Sequence, residues 1–74
     1  HIRANAVLPG MVETRLINSG TYTDEDKQRD LDLYPLGRYG IPTDVSNAII
    51  YLLSDASSWV TGIELIVDGG RCLK

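Results

Sequence analysis

The chain has 74 residues, of which 43% are hydrophobic, and these values suit one small folded unit or part of a larger one. Cys72 is its only cysteine and His1 its only histidine, which excludes an internal disulfide framework and argues strongly against a structural zinc site. The formal net charge is −3, the basic residues are scattered and the apolar runs are short, so neither nucleic acid nor a membrane is an expected partner.

The two ends of the chain carry few signals of function. The start has the pattern of folded structure instead of a charged segment followed by an apolar one, so no secretory signal is predicted and the default location is the cytoplasm. Cys72 has no histidine in the interior of the chain to activate it. We therefore interpret Cys72 as an ordinary thiol, and a nucleophile is the less favoured alternative.

The first predicted element is a β-strand over residues 2–8, a mostly apolar stretch in which Arg3 and Asn5 are interleaved. Pro9 cannot donate to a ladder, and Gly10 tolerates backbone angles that are closed to other residues, so the strand ends there. For Asn5 a structural role is favoured, in which its side chain bonds neighbouring backbone.

The pattern loosens between residues 13 and 41. Val12, Leu16 and Ile17 lie on one apolar side of a predicted short helix, for which Thr14 is a candidate cap.

A second helix is predicted after Thr23, because residues 24–26 are all acidic and suit the positive end of a helix. Few apolar residues follow, so this helix is expected to be exposed. The segments 34–37 and 40–42 contain proline and glycine and predict turns.

The clearest predicted element is an amphipathic helix over residues 43–54. Thr43 is the predicted N-cap, and Asp44 favours the first turn. Polar residues 55–58 end the helix. The apolar stripe at the helical period consists of Val45, Ala48, Ile49, Leu52 and Leu53.

A second strand is predicted at residues 63–67, and it stops at the Asp-Gly-Gly of residues 68–70. The order of strand, helical excursion, helix and strand favours an α/β fold with a parallel pair joined by a right-handed crossover. Parallel strands need helices on both faces of their sheet, which one long helix cannot supply. The sequence therefore predicts the end of a wider sheet, with residues 1–74 forming one segment of a single domain.

Three motifs in order, NAVLPGMVET, PLGRYGIPTDVSNAIIYLLSDASSWVTG and IVDGG, resemble the last third of a short-chain dehydrogenase/reductase. The resemblance covers residues 2–70. It implies the C-terminal portion of a Rossmann-like doubly wound parallel sheet, with the dinucleotide-binding and catalytic parts absent. Since the chain also lacks an initiator Met, we expect a fragment that starts just before the family's sixth strand. The middle motif is common among members that act on small alcohols, sugars or 3-oxoacyl thioesters, such as 3-oxoacyl-ACP reductases and glucose dehydrogenases.

The resemblance also implies a cofactor-binding turn. In that family the Pro-Gly turn crosses the nicotinamide end of NAD or NADP, which places Pro9 and Gly10 at the turn and the Val12 backbone against the carboxamide. The Thr14 hydroxyl would face the carboxamide or a phosphate. These contacts orient the cofactor and transfer no proton. Spacing alone, without the resemblance, favours a plain strand end at Pro9-Gly10 and a helix cap at Thr14.

The segment from residue 15 to residue 36 corresponds to the family's substrate lid. The candidates to contact a small alcohol, ketone or acyl substrate are Leu16, Ile17, Tyr22 and Tyr34, with packing as the alternative role for the aromatic residues. Arg38 could pair with a carboxylate, but anchoring of its own turn is favoured. Trp59 suits either a core or an interface, because the last helix and strand of relatives often build a homo-oligomer interface.

The residues that perform the family's chemistry are absent from the sequence. No glycine-rich turn is present to receive a pyrophosphate, and none of the four tyrosines has a lysine four residues later. The chain alone is therefore predicted to be inactive and to bind no dinucleotide appreciably. The intact parent would transfer a hydride between nicotinamide and an alcohol or ketone carbon. The alternative is a self-standing, non-enzymatic module that associates through its helix and exposed strand edge.

Overall fold

The computed structural model describes residues 1–13 and 23–73, and within them the elements follow the predicted α/β order. The strands are β1 (Ala6–Pro9) and β2 (Glu64–Val67), and the helices are α1 (Asp24–Leu31) and α2 (Pro42–Leu53). Short 3₁₀ turns at Asp55–Ser57 and Arg71–Leu73 follow α2 and β2.

The two strands form a parallel pair, as the sequence predicts. The register places Ala6 beside Glu64 and Pro9 beside Val67. Pro9 is the last residue of β1, in agreement with the predicted strand end. Because parallel strands run in one direction, the segments that follow Pro9 and Val67 leave the sheet at the same edge.

β1 begins later than the strand predicted at residues 2–8, because the partner segment bends at Gly62 before the ladder starts at Glu64. Asn5 joins the two segments at this point. Its Nδ2 donates to the Val60 carbonyl at 3.1 Å, and its Oδ1 accepts from the Ile63 amide at 3.1 Å. The structural role predicted for Asn5 is confirmed.

Helix α1 begins where the sequence predicts. The Thr23 hydroxyl accepts a hydrogen bond from the Asp26 amide at 3.1 Å, and the Asp26 carboxylate accepts one from the Thr23 amide at 3.4 Å. This reciprocal arrangement is a capping box, which satisfies two amides that a helix start would otherwise leave without partners. None of the residues of α1 is buried, so the prediction of an exposed helix is confirmed.

Helix α2 begins one residue earlier than predicted, and Thr43 as its N-cap is wrong. Ile41 is the N-cap and Pro42 is the first helical residue, because the proline ring presets the helical backbone angle and needs no amide partner there. Asp44 lies in the first turn, as predicted, and its carboxylate accepts a hydrogen bond from the Ile41 amide at 2.8 Å.

The apolar stripe of α2 is only partly covered. Leu52 is buried with 7% of its surface exposed, whereas Leu53 is 79% exposed. Leu53 belongs to the predicted stripe, and the described residues leave most of its side chain uncovered. Trp59 is fully exposed, so none of the described residues covers it, and its place in a core or an interface of a longer protein stays a prediction.

Candidate functional site

Three turns meet at the edge where both strands end. We call residues 9–12 the strand-end turn, residues 34–40 the tyrosine turn and residues 68–70 the C-terminal turn. A cavity of about 160 Å³ lies between them and the start of α2. Its lining includes Met11, Val12, Leu36, Arg38 and Asp68. In parallel α/β sheets this is the edge at which ligands bind, so it is the candidate site.

Gly10 lies directly against the C-terminal turn. A Cβ atom at this position would be 2.8 Å from the Asp68 Cβ and 3.0 Å from the Asp68 Cα, closer than real Cβ contacts. The same atom would be 3.4 Å from the Tyr34 ring. The Gly10 amide also donates to the Val67 carbonyl at 2.9 Å. The absence of a side chain at Gly10 therefore lets the strand-end turn and the C-terminal turn pack closely together.

Tyr34 fills the space between the strand-end turn and the C-terminal turn. Its hydroxyl accepts a hydrogen bond from the Met11 amide at 3.1 Å. Its ring meets the Tyr39 ring edge to face, with 5.7 Å between the ring centroids. The structure thus shows packing contacts for Tyr34, while its predicted contact with a substrate stays a prediction.

The Val12 amide is the free donor of the strand-end turn. The Met11 amide is bonded to the Tyr34 hydroxyl, and the Glu13 amide donates to the Gly40 carbonyl at 2.7 Å. Val12 forms an isolated parallel bridge with Gly40. In this pattern the Met11 carbonyl and the Glu13 amide bond to Gly40, and the N–H of Val12 itself points away from Gly40. Among the described residues, no hydrogen-bond acceptor faces the Val12 N–H.

Arg38 anchors the tyrosine turn to α2. Its Nη1 lies 2.9 Å from Asp44 Oδ2 and also donates to the Tyr39 carbonyl at 2.9 Å, while its Nη2 lies 3.4 Å from Asp44 Oδ1. The hydrogen bond from Arg38 and, to a smaller extent, that from the Ile41 amide lower the pKa of Asp44. The hydrogen bond to Asp44 in turn raises the pKa of Arg38. The anchoring role predicted for Arg38 is confirmed.

The Asp68 carboxylate holds the C-terminal turn together. It accepts hydrogen bonds from the Gly70 amide at 2.9 Å and from the Cys72 amide at 3.0 Å. Burial acts to raise the pKa of Asp68, but hydrogen bonds from Cys72, Gly70 and Arg71 outweigh it and keep that pKa below its usual value. Hydrogen bonding to Asp68 in turn raises the pKa of the Cys72 thiol, which opposes thiolate formation and supports the ordinary thiol inferred from the sequence.

The carboxylates of Asp44 and Asp68 are expected to make the stability of the fold sensitive to acid. Asp44 and Asp68 have lowered pKa values in the folded chain, so their stabilisation is complete above the unfolded-state pKa of about 4 and is lost as the pH falls through the folded-state values. We expect the urea midpoint to fall below about pH 4, and Asp68→Asn to reduce this dependence while lowering the midpoint near neutral pH. Glu64→Gln, at an exposed strand position, is the control. An acid dependence equal in wild type and Asp68→Asn would contradict the role of Asp68.

The structure brings together three of the sequence-predicted cofactor residues, since Pro9, Gly10 and Val12 all lie in the strand-end turn. The remaining predictions, at Thr14, Leu16, Ile17 and Tyr22, lie outside the described residues. Sequence reasoning missed that the C-terminal turn packs directly on Gly10. The predicted parallel pair could have indicated this contact, because the residues that follow two parallel strands leave the sheet at the same edge.

Within residues 1–13 and 23–73, no helix has the length and apolar character needed to cross a membrane. The same residues contain no cluster of three or more histidine, cysteine, aspartate or glutamate side chains that could hold a metal ion.

Comparison with known proteins gives consistent relatives. A family profile described as enoyl-(acyl carrier protein) reductase matches residues 1–71. The chain is 45% identical to 2-(S)-hydroxypropyl-CoM dehydrogenase 3 of Xanthobacter autotrophicus, covering 93% of this chain and 29% of the relative. It is 44% identical to the L-rhamnose 1-dehydrogenase (NAD(P)(+)) of a Sphingomonas species, covering 93% of this chain and 27% of the relative.

A solved structure shows the same fold. The short-chain type dehydrogenase/reductase from Mycobacterium ulcerans superposes with a TM-score of 0.87 and 40% sequence identity, covering 97% of this chain and 26% of that one. The chain therefore spans less than a third of the length of the relatives that it matches.

Proposed function

The chain belongs to the short-chain dehydrogenase/reductase family, and from this premise we propose that it is the C-terminal part of an NAD(P)-dependent oxidoreductase. The whole protein transfers a hydride between nicotinamide and an alcohol or ketone carbon. In this proposal, residues 1–74 supply the turn at the nicotinamide end, the substrate lid and a subunit interface.

The observation that carries the proposal is the free Val12 amide on the strand-end turn. A nicotinamide carboxamide has an oxygen that needs a donor, and a backbone amide that already lacks a partner can donate without breaking another hydrogen bond. Pro9 fixes the backbone at the start of the turn, and Gly10 lets the turn lie close to the C-terminal turn beneath it. The Val12 amide would therefore hold the carboxamide in a preset direction.

The described part of the lid supports its proposed role. Helix α1 buries none of its residues, and it contacts the tyrosine turn through the Tyr39 hydroxyl, which donates to Asp30 Oδ2 at 3.0 Å. A polar, exposed helix of this kind can order over a bound substrate. Because the relatives named above act on a hydroxypropyl compound and on a sugar, we propose a small secondary alcohol or a sugar hydroxyl as the substrate class.

The 74 residues position the reaction but do not perform it. The proposal assigns the proton transfer to groups that lie elsewhere in the whole protein, because the sequence contains no tyrosine with a lysine four residues later. The cofactor, when bound, supplies the hydride donor or acceptor carbon. The chain by itself is then inactive, since it contains neither a proton donor of this kind nor a glycine-rich turn for the pyrophosphate.

A second candidate function is a non-enzymatic association module. It is favoured by exposed apolar side chains on and after α2, where Leu53 is 79% and Trp59 fully exposed. In the first proposal the same side chains form the homo-oligomer interface and the contact with the remainder of the domain.

The test uses the longer protein that contains this segment. Reduction of NAD⁺ and NADP⁺ is measured with L-rhamnose, other aldoses and small secondary alcohols as substrates. Thr14→Ala is expected to weaken cofactor binding about 3- to 10-fold, the range for one lost hydrogen bond, and Thr14→Ser should restore it. A protein that binds neither cofactor would favour the association module. Normal binding and turnover in Thr14→Ala would leave Thr14 as a helix cap only.

A further inference from the structure

We infer that Tyr34 is a positioning residue, which fixes the direction of the Val12 amide and thereby orients the nicotinamide end of the cofactor. The inference rests on the function proposed above and deepens it, because it assigns the control of that turn to a side chain from a different segment of the chain. Tyr34 acts through the backbone of Met11 and is not itself a catalytic residue.

The hydrogen bond to Tyr34 selects which amide of the strand-end turn stays free. The Met11 amide donates to the Tyr34 hydroxyl at 3.1 Å, so this donor is occupied and Val12, the next residue, carries the unbonded one. Without the hydroxyl, the Met11 amide would lose its acceptor and the peptide could rotate to find another one. Two adjacent free amides would then compete for a single carboxamide oxygen, and the ring would lose its preset direction.

The ring of Tyr34 is itself held on several sides. Its backbone amide donates to the Leu31 carbonyl at 3.0 Å, at the end of α1. The Tyr39 ring packs against it edge to face, and Tyr39 is buried with 5% of its surface exposed. The ring also lies against Gly10 and Gly69, whose missing side chains leave room for it. A side chain held in this way can fix the peptide to which it bonds.

Tyrosine suits this position because its hydroxyl accepts the hydrogen bond from Met11. Phenylalanine would fill the same space but could accept no hydrogen bond. Tyr34→Phe therefore removes the acceptor and keeps the packing. Tyr51→Phe is the matched control, since Tyr51 lies on α2 away from the three turns and is 43% exposed.

The experiment compares two ligands that differ at the nicotinamide end. Titration calorimetry on the longer protein measures the affinity for NADH and for ADP-ribose, or for NADPH and 2′-phospho-ADP-ribose if the wild type prefers the phosphorylated cofactor. We expect Tyr34→Phe to weaken binding of the reduced dinucleotide about 3- to 10-fold and to leave the ADP-ribose affinity unchanged, because only the dinucleotide reaches the strand-end turn. Tyr51→Phe should change neither affinity.

Two results with the variant would overturn the inference. Unchanged affinity for the reduced dinucleotide would mean that Tyr34 does not orient the turn. An equal loss for both ligands, or a variant that no longer folds, would assign Tyr34 a purely structural role. The proposed function is tested separately, with the wild type. It fails if the wild type binds ADP-ribose as tightly as the reduced dinucleotide and transfers no hydride.

Discussion

Replacing Arg3 by methionine is expected to lower the free energy of unfolding by about 2 kcal/mol. The guanidinium is partly buried and donates to four oxygens at the end of α2 and just after it. It reaches the Leu52 carbonyl at 3.0 Å, which is one of the groups that a helix end leaves without a backbone partner, and the Ser54 carbonyl at 3.4 Å. Methionine keeps much of the side-chain volume but cannot donate to any of them.

The remaining contacts of Arg3 attach the start of the chain to the segment that follows α2. Arg3 Nη1 donates to the Val60 carbonyl at 3.0 Å and to the Ser57 hydroxyl at 3.2 Å. Ser57 is 1% exposed, so water cannot readily take the place of the lost donor. The start of the chain would therefore lose its main polar attachment to the end of α2.

Arg29→Met is the matched control for this prediction. Arg29 is also an arginine that donates hydrogen bonds, but its side chain is 76% exposed and its partner Asp26 lies in the same helix. Pairs of this kind contribute about 0.5 kcal/mol or less, so the control should lie close to wild type. Urea unfolding followed by circular dichroism measures both variants. An Arg3→Met loss no larger than that of Arg29→Met would show that the four contacts contribute little.

Gly10→Ala is expected to lower the free energy of unfolding by about 1 to 3 kcal/mol. The added methyl group would lie 2.8 Å from the Asp68 Cβ and 3.0 Å from the Asp68 Cα, so backbone must move to accept it. Separation of the strand-end turn from the C-terminal turn would also displace the Val12 amide. In the longer protein, weaker binding of NADH or NADPH should therefore accompany the loss of stability.

Gly40→Ala separates this steric effect from the general cost of replacing a glycine. Neither glycine has a positive φ, so neither substitution forces a left-handed backbone on alanine. A Cβ at Gly40 would meet its nearest neighbours at 3.6 and 3.7 Å, which are ordinary contacts. We expect Gly40→Ala to be close to wild type in urea unfolding. Equal stability of Gly10→Ala and Gly40→Ala would contradict the close packing inferred at Gly10.

Features that depend on neighbouring residues were predictable from the sequence. The capping box of α1 joins Thr23 and Asp26, which are three residues apart. The apolar residues of α2 recur every three or four positions, about one helical turn. The end of β1 at Pro9 follows from one missing amide hydrogen. The family resemblance added the prediction that the strand-end turn binds the cofactor, because its motif occupies one continuous stretch.

One prediction was wrong because two local rules competed, and the burial of the α2 stripe depended on distant segments. Thr43 is a good N-cap residue, but Pro42 suits the first helical position, so the N-cap lies at Ile41, two residues earlier than predicted. Leu53 belongs to the apolar stripe by its period, yet whether it is covered depends on what packs against α2. Periodicity identifies the apolar face of a helix and does not determine which part of that face has a partner.

The sequence by itself determined the type and order of the elements, the parallel pair and the family, because these follow from short-range backbone chemistry and contiguous motifs. Only the tertiary structure decided that Arg3 attaches to the end of α2, that Tyr34 takes the Met11 amide and that Asp68 lies on Gly10. Each of these contacts joins residues more than twenty positions apart. A contact over such a distance depends on the folded path of the chain, and no local propensity or spacing rule encodes that path.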